Sequence, residues 1–143
     1  GISGALAVCG WSAGGNIAAV VCQLARDAGG PDIKGQGLIT PVVDGADDSP
    51  SMTDNAEGFV LTRALMDWFW DHYADPAVRA DPKASPLHAA EALGAAGTEA
   101  RHISYPGQIH TSFTAVGAIP TANDARQEMA AALRQSFRAM EPA

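Results

Sequence analysis

The motif Gly-x-Ser-x-Gly at residues 10–14 constrains the fold of this chain more than any other feature of its sequence. A continuous apolar run, residues 5–9, precedes the motif and is typical of a strand buried on both faces of a parallel sheet. From Ser12 to about Gly29 the apolar spacing becomes helical. One apolar face of that helix comprises Ile17, Val20, Val21, Leu24 and Ala28. The motif therefore marks a strand-to-helix turn.

Such a turn suits a nucleophilic serine. It holds Ser12 in a strained backbone conformation, and Gly10, Gly14 and Gly15 let the chain bend without a clash. Together with Trp11 these residues form the predicted nucleophile elbow, called the elbow below. The N-terminus of the helix directs N–H groups toward the serine, so the N–H of Ala13 is the expected oxyanion donor. The alternative is a glycine-rich turn that binds phosphate. Neither a P-loop lysine nor the glycine spacing of a dinucleotide site is present.

A histidine near the C-terminal end is the candidate general base. His110 follows an alternating segment, residues 101–105, which predicts a strand ending at Pro106 and Gly107. In the strand–serine–helix arrangement the histidine comes late in the chain and reaches the serine from a loop. We therefore expect Ser12 to act as nucleophile and His110 as base. A surface-loop histidine is the alternative, and the other three histidines lie in less suitable positions.

The remaining pattern predicts an α/β fold, with a mostly parallel sheet and flanking helices in one domain, residues 1–143. Residues 37–43 read as a strand, 44–58 as a surface loop, 74–86 as irregular and 89–96 as a short helix. Thr62 can cap a helix whose apolar face comprises Leu65, Met66, Phe69, Trp70 and Tyr73. A last helix after Pro120 would bury Met129, Leu133, Phe137 and Met140.

Composition excludes several classes of protein. The chain has 143 residues and a net charge of -7, and its nine basic residues are scattered, which argues against nucleic-acid binding. No apolar run is long enough to span a bilayer, and no side-chain spacing fits a metal site. We expect Cys9 and Cys22 to be buried free thiols, which points to a cytoplasmic location.

The third member of a catalytic triad is not identified. A buried carboxylate should orient His110, and it should follow a strand between Pro86 and Arg101. That interval contains only Glu91 and Glu99, and neither is suitably placed. Asp44 follows an earlier strand and is a weaker alternative. The catalytic acid therefore stays unknown.

Several motifs together resemble the hormone-sensitive-lipase family of bacterial carboxylesterases, which has the α/β-hydrolase fold. They are residues 10–19, 40–44, 85–87 and 105–110. The resemblance implies hydrolysis of short- to medium-chain carboxylic esters through an acyl-enzyme on Ser12, without a cofactor. It also places residues 45–81 in the cap and acyl-pocket region. The side chains that could line that pocket, or alternatively belong to the core, are Phe59, Leu61, Leu65 and Phe69.

The chain departs from the family pattern in four ways. The upstream H-G-G-G loop and the acid-bearing strand are absent, Trp11 replaces an acidic residue, and Thr111 replaces a glycine. We therefore expect the C-terminal part of a hydrolase, with residues missing before Gly1 and between Ala90 and Glu91. The alternatives are a non-catalytic homologue that acts as a binding or assembly subunit, and a peptidase or thioesterase of the same fold. Whether the protein forms a homodimer is left open.

Overall fold

The computed structural model describes residue 4, residues 6–87 and residues 101–138. Two strands, β1 (Leu6–Trp11) and β2 (Ile33–Ile39), flank helix α1 (Ala13–Asp27). Helices α2 (Pro50–Asp54), α3 (Arg63–Tyr73) and α4 (Pro120–Arg138) follow, with short 3-10 helices at Pro76–Val78 and Ser112–Thr114. The chain divides into two compact units, the first from Gly1–Pro41 with Ser112–Ala143 and the second from Val42–Thr111.

The first unit contains a parallel strand pair with a helix on each face. β1 and β2 pair with Cys9 opposite Gly37. On one face the side-chain amide of Gln36 donates to the carbonyl of Ala18 in α1. On the other face, a Cβ at Gly37 would lie 2.7 Å from Met129 Sδ and 3.0 Å from Cys9 Sγ. The glycine therefore allows α4 to approach β2 closely.

Helix α4 confirms the expected packing of its apolar side. Leu133 lies against Gly35, where an added Cβ would be 3.6 Å from Leu133 Cδ2. Met129, Leu133 and Phe137 are all half-buried, while Met140 lies outside the residues described. The helix begins at Pro120 as predicted, because proline suits the first turn of a helix, where its missing N–H is not needed.

Helix α1 matches its predicted span, but its large apolar side chains are not buried. Ile17 is 53% exposed, Val21 41% and Leu24 45%, and of the large residues in the predicted apolar face only Val20 is buried. The face toward the sheet carries small residues together with Asn16 and Gln23, which are 4% and 8% exposed. Small residues let the helix lie close to the strands, so the larger side chains point away from them.

The second unit is organised around one buried serine. Ser85 is fully buried; its hydroxyl accepts a hydrogen bond from the N–H of Gly45 at 2.7 Å and donates to the carbonyl of Arg79. Trp70 of α3 covers Gly45, where an added Cβ would meet the indole ring at 2.9 Å. These contacts fix the segment that follows β2 within this unit.

Helix α3 confirms its predicted N-terminus but not the burial of its apolar face. The hydroxyl of Thr62 accepts a hydrogen bond from the N–H of Leu65 at 3.2 Å, which is an N-cap. Of the five apolar residues in that face, Trp70 is buried and Met66 half-buried. The other three are exposed, namely Leu65, Phe69 and Tyr73.

Two predictions about strands are wrong, and so is the predicted burial of the cysteines. β2 spans Ile33–Ile39 rather than residues 37–43, so both of its predicted ends are wrong. It ends at Ile39 because Thr40 has a positive φ of 40° and Pro41 has no N–H to donate. Residues 101–105 form no strand, because no neighbouring strand pairs with them within the described part of the chain. The cysteines are not both buried as expected: Cys9 is exposed and Cys22 is half-buried, and neither forms a disulfide.

The connecting segments contain more helix than the sequence predicted. The expected loop at residues 44–58 contains helix α2, which begins at Pro50, again a residue suited to a first helical turn. The segment 74–86 is irregular as predicted apart from the helical turn Pro76–Val78. The predicted helix at residues 89–96 lies outside the described residues.

Candidate active site

The turn between β1 and α1 holds Ser12 in an unusual backbone conformation. Ser12 has φ 55° and ψ -121°, and a positive φ is strained for a residue with a side chain. Its N–H donates to the carbonyl of Ile39 at 3.0 Å, and its carbonyl accepts from the N–H groups of Gly15 and Asn16. The end of β2 and the first turn of α1 therefore both fix this backbone position. Strain maintained by surrounding contacts is a recurrent feature of functional residues.

The glycines around Ser12 have different steric roles. A Cβ at Gly10 would lie 2.0 Å from the carbonyl oxygen of Gly14, and one at Gly15 would lie 2.8 Å from the Cβ of Pro41. Both positions therefore exclude any side chain. Gly14 would meet nothing within 4 Å, so no described neighbour excludes a Cβ there. The sequence prediction that small residues make the turn possible holds sterically for two of the three glycines.

The first N–H groups of α1 lie directly after Ser12. Gly15 and Asn16 use theirs on the Ser12 carbonyl, whereas the N–H of Ala13 has no hydrogen-bond partner among the residues described. A helix N-terminus carries partial positive charge and favours an anion. Ala13 is exposed and Trp11 is 41% exposed, so solvent reaches both flanks of the serine. The N–H of Ala13 can therefore donate to an anion that reaches this turn from solvent.

His110 lies in the second unit, in a turn that precedes the short helix Ser112–Thr114. The imidazole is half-buried, and this burial lowers the pKa of His110 below its ordinary value of 6.5. A lowered pKa keeps the ring neutral near pH 7, which is the form that accepts a proton. Ser12 belongs to the first unit, so the pairing of the two residues stays a prediction.

The catalytic acid stays unidentified. Asp44 is half-buried, and its Oδ1 accepts a hydrogen bond from the N–H of Ala46 at 2.8 Å, so its carboxylate is engaged within its own loop. Glu91 and Glu99 lie outside the described residues.

Next to Asp44, Gly45 contacts Ser85 and Trp70, and the sequence did not predict these contacts. Only the buried pair Ser85-Pro86, which is part of the family motif, gave a signal there.

The side chains suggested for the acyl pocket are largely exposed. Phe59 is 45% exposed, Leu65 37% and Phe69 48%, while Leu61 is half-buried. The alternative that these residues are core is therefore wrong for the first three. Their role as pocket lining stays a prediction, as does the assignment of residues 45–81 to a cap.

The described residues contain neither a candidate metal site nor a membrane-spanning helix. Among the residues described, no group of three or more His, Cys, Asp and Glu side chains could hold a metal ion. None of the described helices is long and apolar enough to cross a bilayer.

A family model for the alpha/beta hydrolase fold matches residues 3–94, which is more than half of the chain. With the elbow geometry, this match defines the class of protein. The chain belongs to the α/β-hydrolase fold family, in its hormone-sensitive-lipase-like branch, as the sequence motifs indicated.

The named relatives and solved structures to which the chain is similar are ester hydrolases. The chain is 44% identical to carboxylic ester hydrolase LipN of Mycobacterium tuberculosis over 66% of this chain and 27% of that protein. Among solved structures it resembles the thermostable carboxylesterase EstE1 from a metagenomic library, with a TM-score of 0.84 and 30% identity over 95% of this chain and 55% of that one. A fungal esterase from Rhizomucor miehei also has a TM-score of 0.84, with 34% identity, covering 93% of this chain and 50% of that one. The chain thus spans about a quarter of the curated relative and about half of each solved one.

Proposed function

We propose that this chain carries the nucleophile and the general base of a serine carboxylesterase that hydrolyses short- to medium-chain carboxylic esters. The observation that carries the proposal is the backbone of Ser12, held at φ 55° between β1 and α1 by hydrogen bonds on both sides. This is the strained strand-to-helix turn that presents a catalytic hydroxyl in α/β-hydrolases. The names of LipN and EstE1, both ester hydrolases, agree with it.

The proposed reaction has two half-reactions. The neutral imidazole of His110 takes the proton of the Ser12 hydroxyl, whose oxygen attacks the ester carbonyl to form a tetrahedral oxyanion. The Ala13 N–H donates to that oxyanion. The imidazolium returns the proton to the leaving alcohol as the ester bond breaks, which leaves an acyl-enzyme. Water then gives its proton to His110 and attacks the acyl carbon, and the acid departs as Ser12 recovers its proton.

Further groups must assist this chemistry in the intact protein. A carboxylate is needed to orient His110, and additional N–H donors are needed for the oxyanion. The chain spans about half of EstE1, and we infer that such groups come from polypeptide beyond the 143 residues. The substrate range is also part of the proposal and rests on the family resemblance; the exposed apolar side chains Phe59, Leu65 and Phe69 are the candidates for contact with the acyl group.

A serine variant and a serine-directed probe test the proposal together. In the intact protein, Ser12→Ala should abolish hydrolysis of p-nitrophenyl butyrate and labelling by a fluorophosphonate. Ser51→Ala is the matched control, because Ser51 is an exposed serine of α2, and it should leave both signals unchanged. Hydrolysis retained by Ser12→Ala would refute the assignment. Absence of both signals in the wild-type protein would favour a non-catalytic homologue that binds or assembles.

A further inference from the structure

Trp11 is the last residue of β1 and directly precedes the proposed nucleophile, Ser12. It pairs with Ile39, the last residue of β2, so both strands end at the same level. Ligands of parallel α/β sheets bind just outside the carboxyl ends of the strands. Consecutive Cα atoms are only about 3.8 Å apart, so the side chain at position 11 begins next to the attacking residue. Trp11 is therefore a candidate for contact with an ester bound at Ser12.

The indole lies on the face of β1 that points away from the first turn of α1. Side chains alternate along a strand, so Trp11 and Gly10 lie on opposite faces. A Cβ at Gly10 would lie 2.0 Å from the carbonyl oxygen of Gly14, which identifies the face that α1 covers. Ala13 begins α1, and its N–H is the proposed oxyanion donor. The indole and this donor therefore flank Ser12 on different sides, and a ring stacked on the indole leaves the donor accessible.

The chemistry of this flank favours an uncharged, aromatic group. The indole is 41% exposed and stands where the family pattern has an acidic residue, and the first turn of α1 has no acidic side chain. Aromatic rings attract each other in offset-stacked or edge-to-face arrangements beyond what the burial of apolar area provides. Binding of an aromatic ring over a saturated ring of the same size is then favoured roughly three- to tenfold.

An ester offers two groups to such a ring, the acyl group and the alcohol group. The proposed contacts of the acyl group are Phe59, Leu65 and Phe69, which follow β2 in the chain. The alcohol group is bonded to the carbonyl until the tetrahedral intermediate collapses, so it is present when Ser12 attacks. It is therefore the part of the ester that is left for Trp11.

We propose that Trp11 is a specificity-determining residue that stacks on an aromatic ring of the alcohol group. The substrate class is then esters of arylmethanols, with benzyl esters preferred to aliphatic esters of the same size. This inference rests on the proposed function and adds the alcohol side of its substrate.

The test compares two esters that differ only in the ring, benzyl butyrate and cyclohexylmethyl butyrate, with the intact protein. Both give the same butyryl-enzyme on Ser12, so a difference in kcat/KM arises in the step in which the alcohol group is still bound. The ratio of the two kcat/KM values is divided by the ratio of the hydroxide-catalysed rates, which removes the intrinsic reactivity of the esters. We expect a corrected preference for the benzyl ester of roughly three- to tenfold.

Matched variants isolate the ring. Trp11→Leu should lower the corrected ratio to about one, whereas Trp11→Phe should keep most of it, because phenylalanine retains an aromatic face. Both variants lack the indole N–H, so the loss of that donor cannot explain a difference between them. Trp11→Met is a second ringless variant, for use if leucine impairs folding. Val116→Leu is the distant control, since Val116 is 47% exposed and lies outside β1 and α1, and it should keep the wild-type ratio.

Fluorophosphonate labelling separates failure of this inference from failure of the proposed function. A wild-type protein that is labelled and hydrolyses both esters without a benzyl preference would overturn the role of Trp11. The same holds if the ringless variants keep the preference, or if Trp11→Phe loses it as completely as they do. A wild-type protein that is neither labelled nor active would refute the proposed function itself, and this inference with it.

Discussion

At the scale of single residues, Gly10 and Gly14 differ in whether the surrounding atoms leave room for a Cβ. A Cβ there would lie 2.0 Å from the Gly14 carbonyl oxygen, whereas a Cβ at Gly14 would meet nothing within 4 Å. Gly10→Ala should therefore lower the free energy of unfolding by about 1–3 kcal/mol, the usual range for overpacking. Gly14→Ala should leave it unchanged or raise it by up to about 1 kcal/mol, because alanine favours a helix. Urea denaturation measures both, and equal effects would contradict the steric argument.

His110 gives a prediction about pH at the same scale. Burial lowers the pKa of His110 below 6.5, so the folded protein binds this proton at a lower pH than the unfolded chain does. The contribution to the free energy of unfolding is fully present above pH 6.5 and is lost as pH falls through the folded-state pKa. A titration of the imidazole by NMR should show a midpoint below 6.5.

The same shift affects catalysis in the intact esterase. With His110 as the base, the acid limb of kcat/KM should follow the titration of its imidazole, because only the neutral ring accepts the serine proton. His110→Gln is the control for the stability prediction. It removes the titrating imidazole, so the free energy of unfolding should lose the pH dependence that His110 contributes. An NMR midpoint at or above 6.5 would show that burial does not control this group.

At the scale of secondary-structure elements, the N-terminus of α3 offers a clean test. The Thr62 hydroxyl accepts the N–H of Leu65, one of the groups that a helix leaves without an internal partner. Thr62→Ala should lower the free energy of unfolding by about 1 kcal/mol, and Thr62→Ser should largely preserve it. Chemical denaturation compares the two. A serine variant as unstable as the alanine variant would show that the hydroxyl does not act as the cap.

Among the secondary-structure elements, those that depend on local sequence signals could be predicted. Helix α1, the cap of α3 and the start of α4 depend on local signals, namely 3.6-residue spacing, a capping threonine and a proline in the first turn. These were confirmed. The end of β2 was predicted wrongly. The positive φ of Thr40 gives no sequence signal, whereas Pro41, which cannot donate to a strand ladder, does give one that the predicted strand at residues 37–43 did not take into account.

Burial could not be predicted from the same local signals. The spacing of Ile17, Val21 and Leu24 defines an apolar face correctly, but small residues on the other side of α1 determine which face meets the strands. The segment 101–105 alternates like a strand and still forms none, because strand formation requires a neighbour with which to exchange hydrogen bonds. The elbow was predictable because its sequence and its backbone geometry depend on the same few residues.

At the scale of the whole molecule, charge opposes the association that the exposed apolar surface favours. The chain carries a net charge of -7 near pH 7, and its sequence pI is about 4.8. Repulsion between copies weakens as the net charge approaches zero, while the apolar stripe that Ile17, Val21 and Leu24 expose on α1 is unaffected by pH. Light scattering of the chain should therefore rise as pH is lowered from 8 toward 4.8.

A charge-neutral variant separates the stripe from the charge. Leu24→Gln removes apolar surface from α1 without altering the net charge, so it should reduce the scattering near the pI. Val116→Gln is the matched control, because Val116 is 47% exposed, similar to Leu24 at 45%, and lies in a turn outside α1. Scattering that stays flat across the pH range, or that both variants reduce equally, would contradict an association through the stripe. Loss of the rise in Leu24→Gln alone would show that the same surface drives association when charge no longer prevents it.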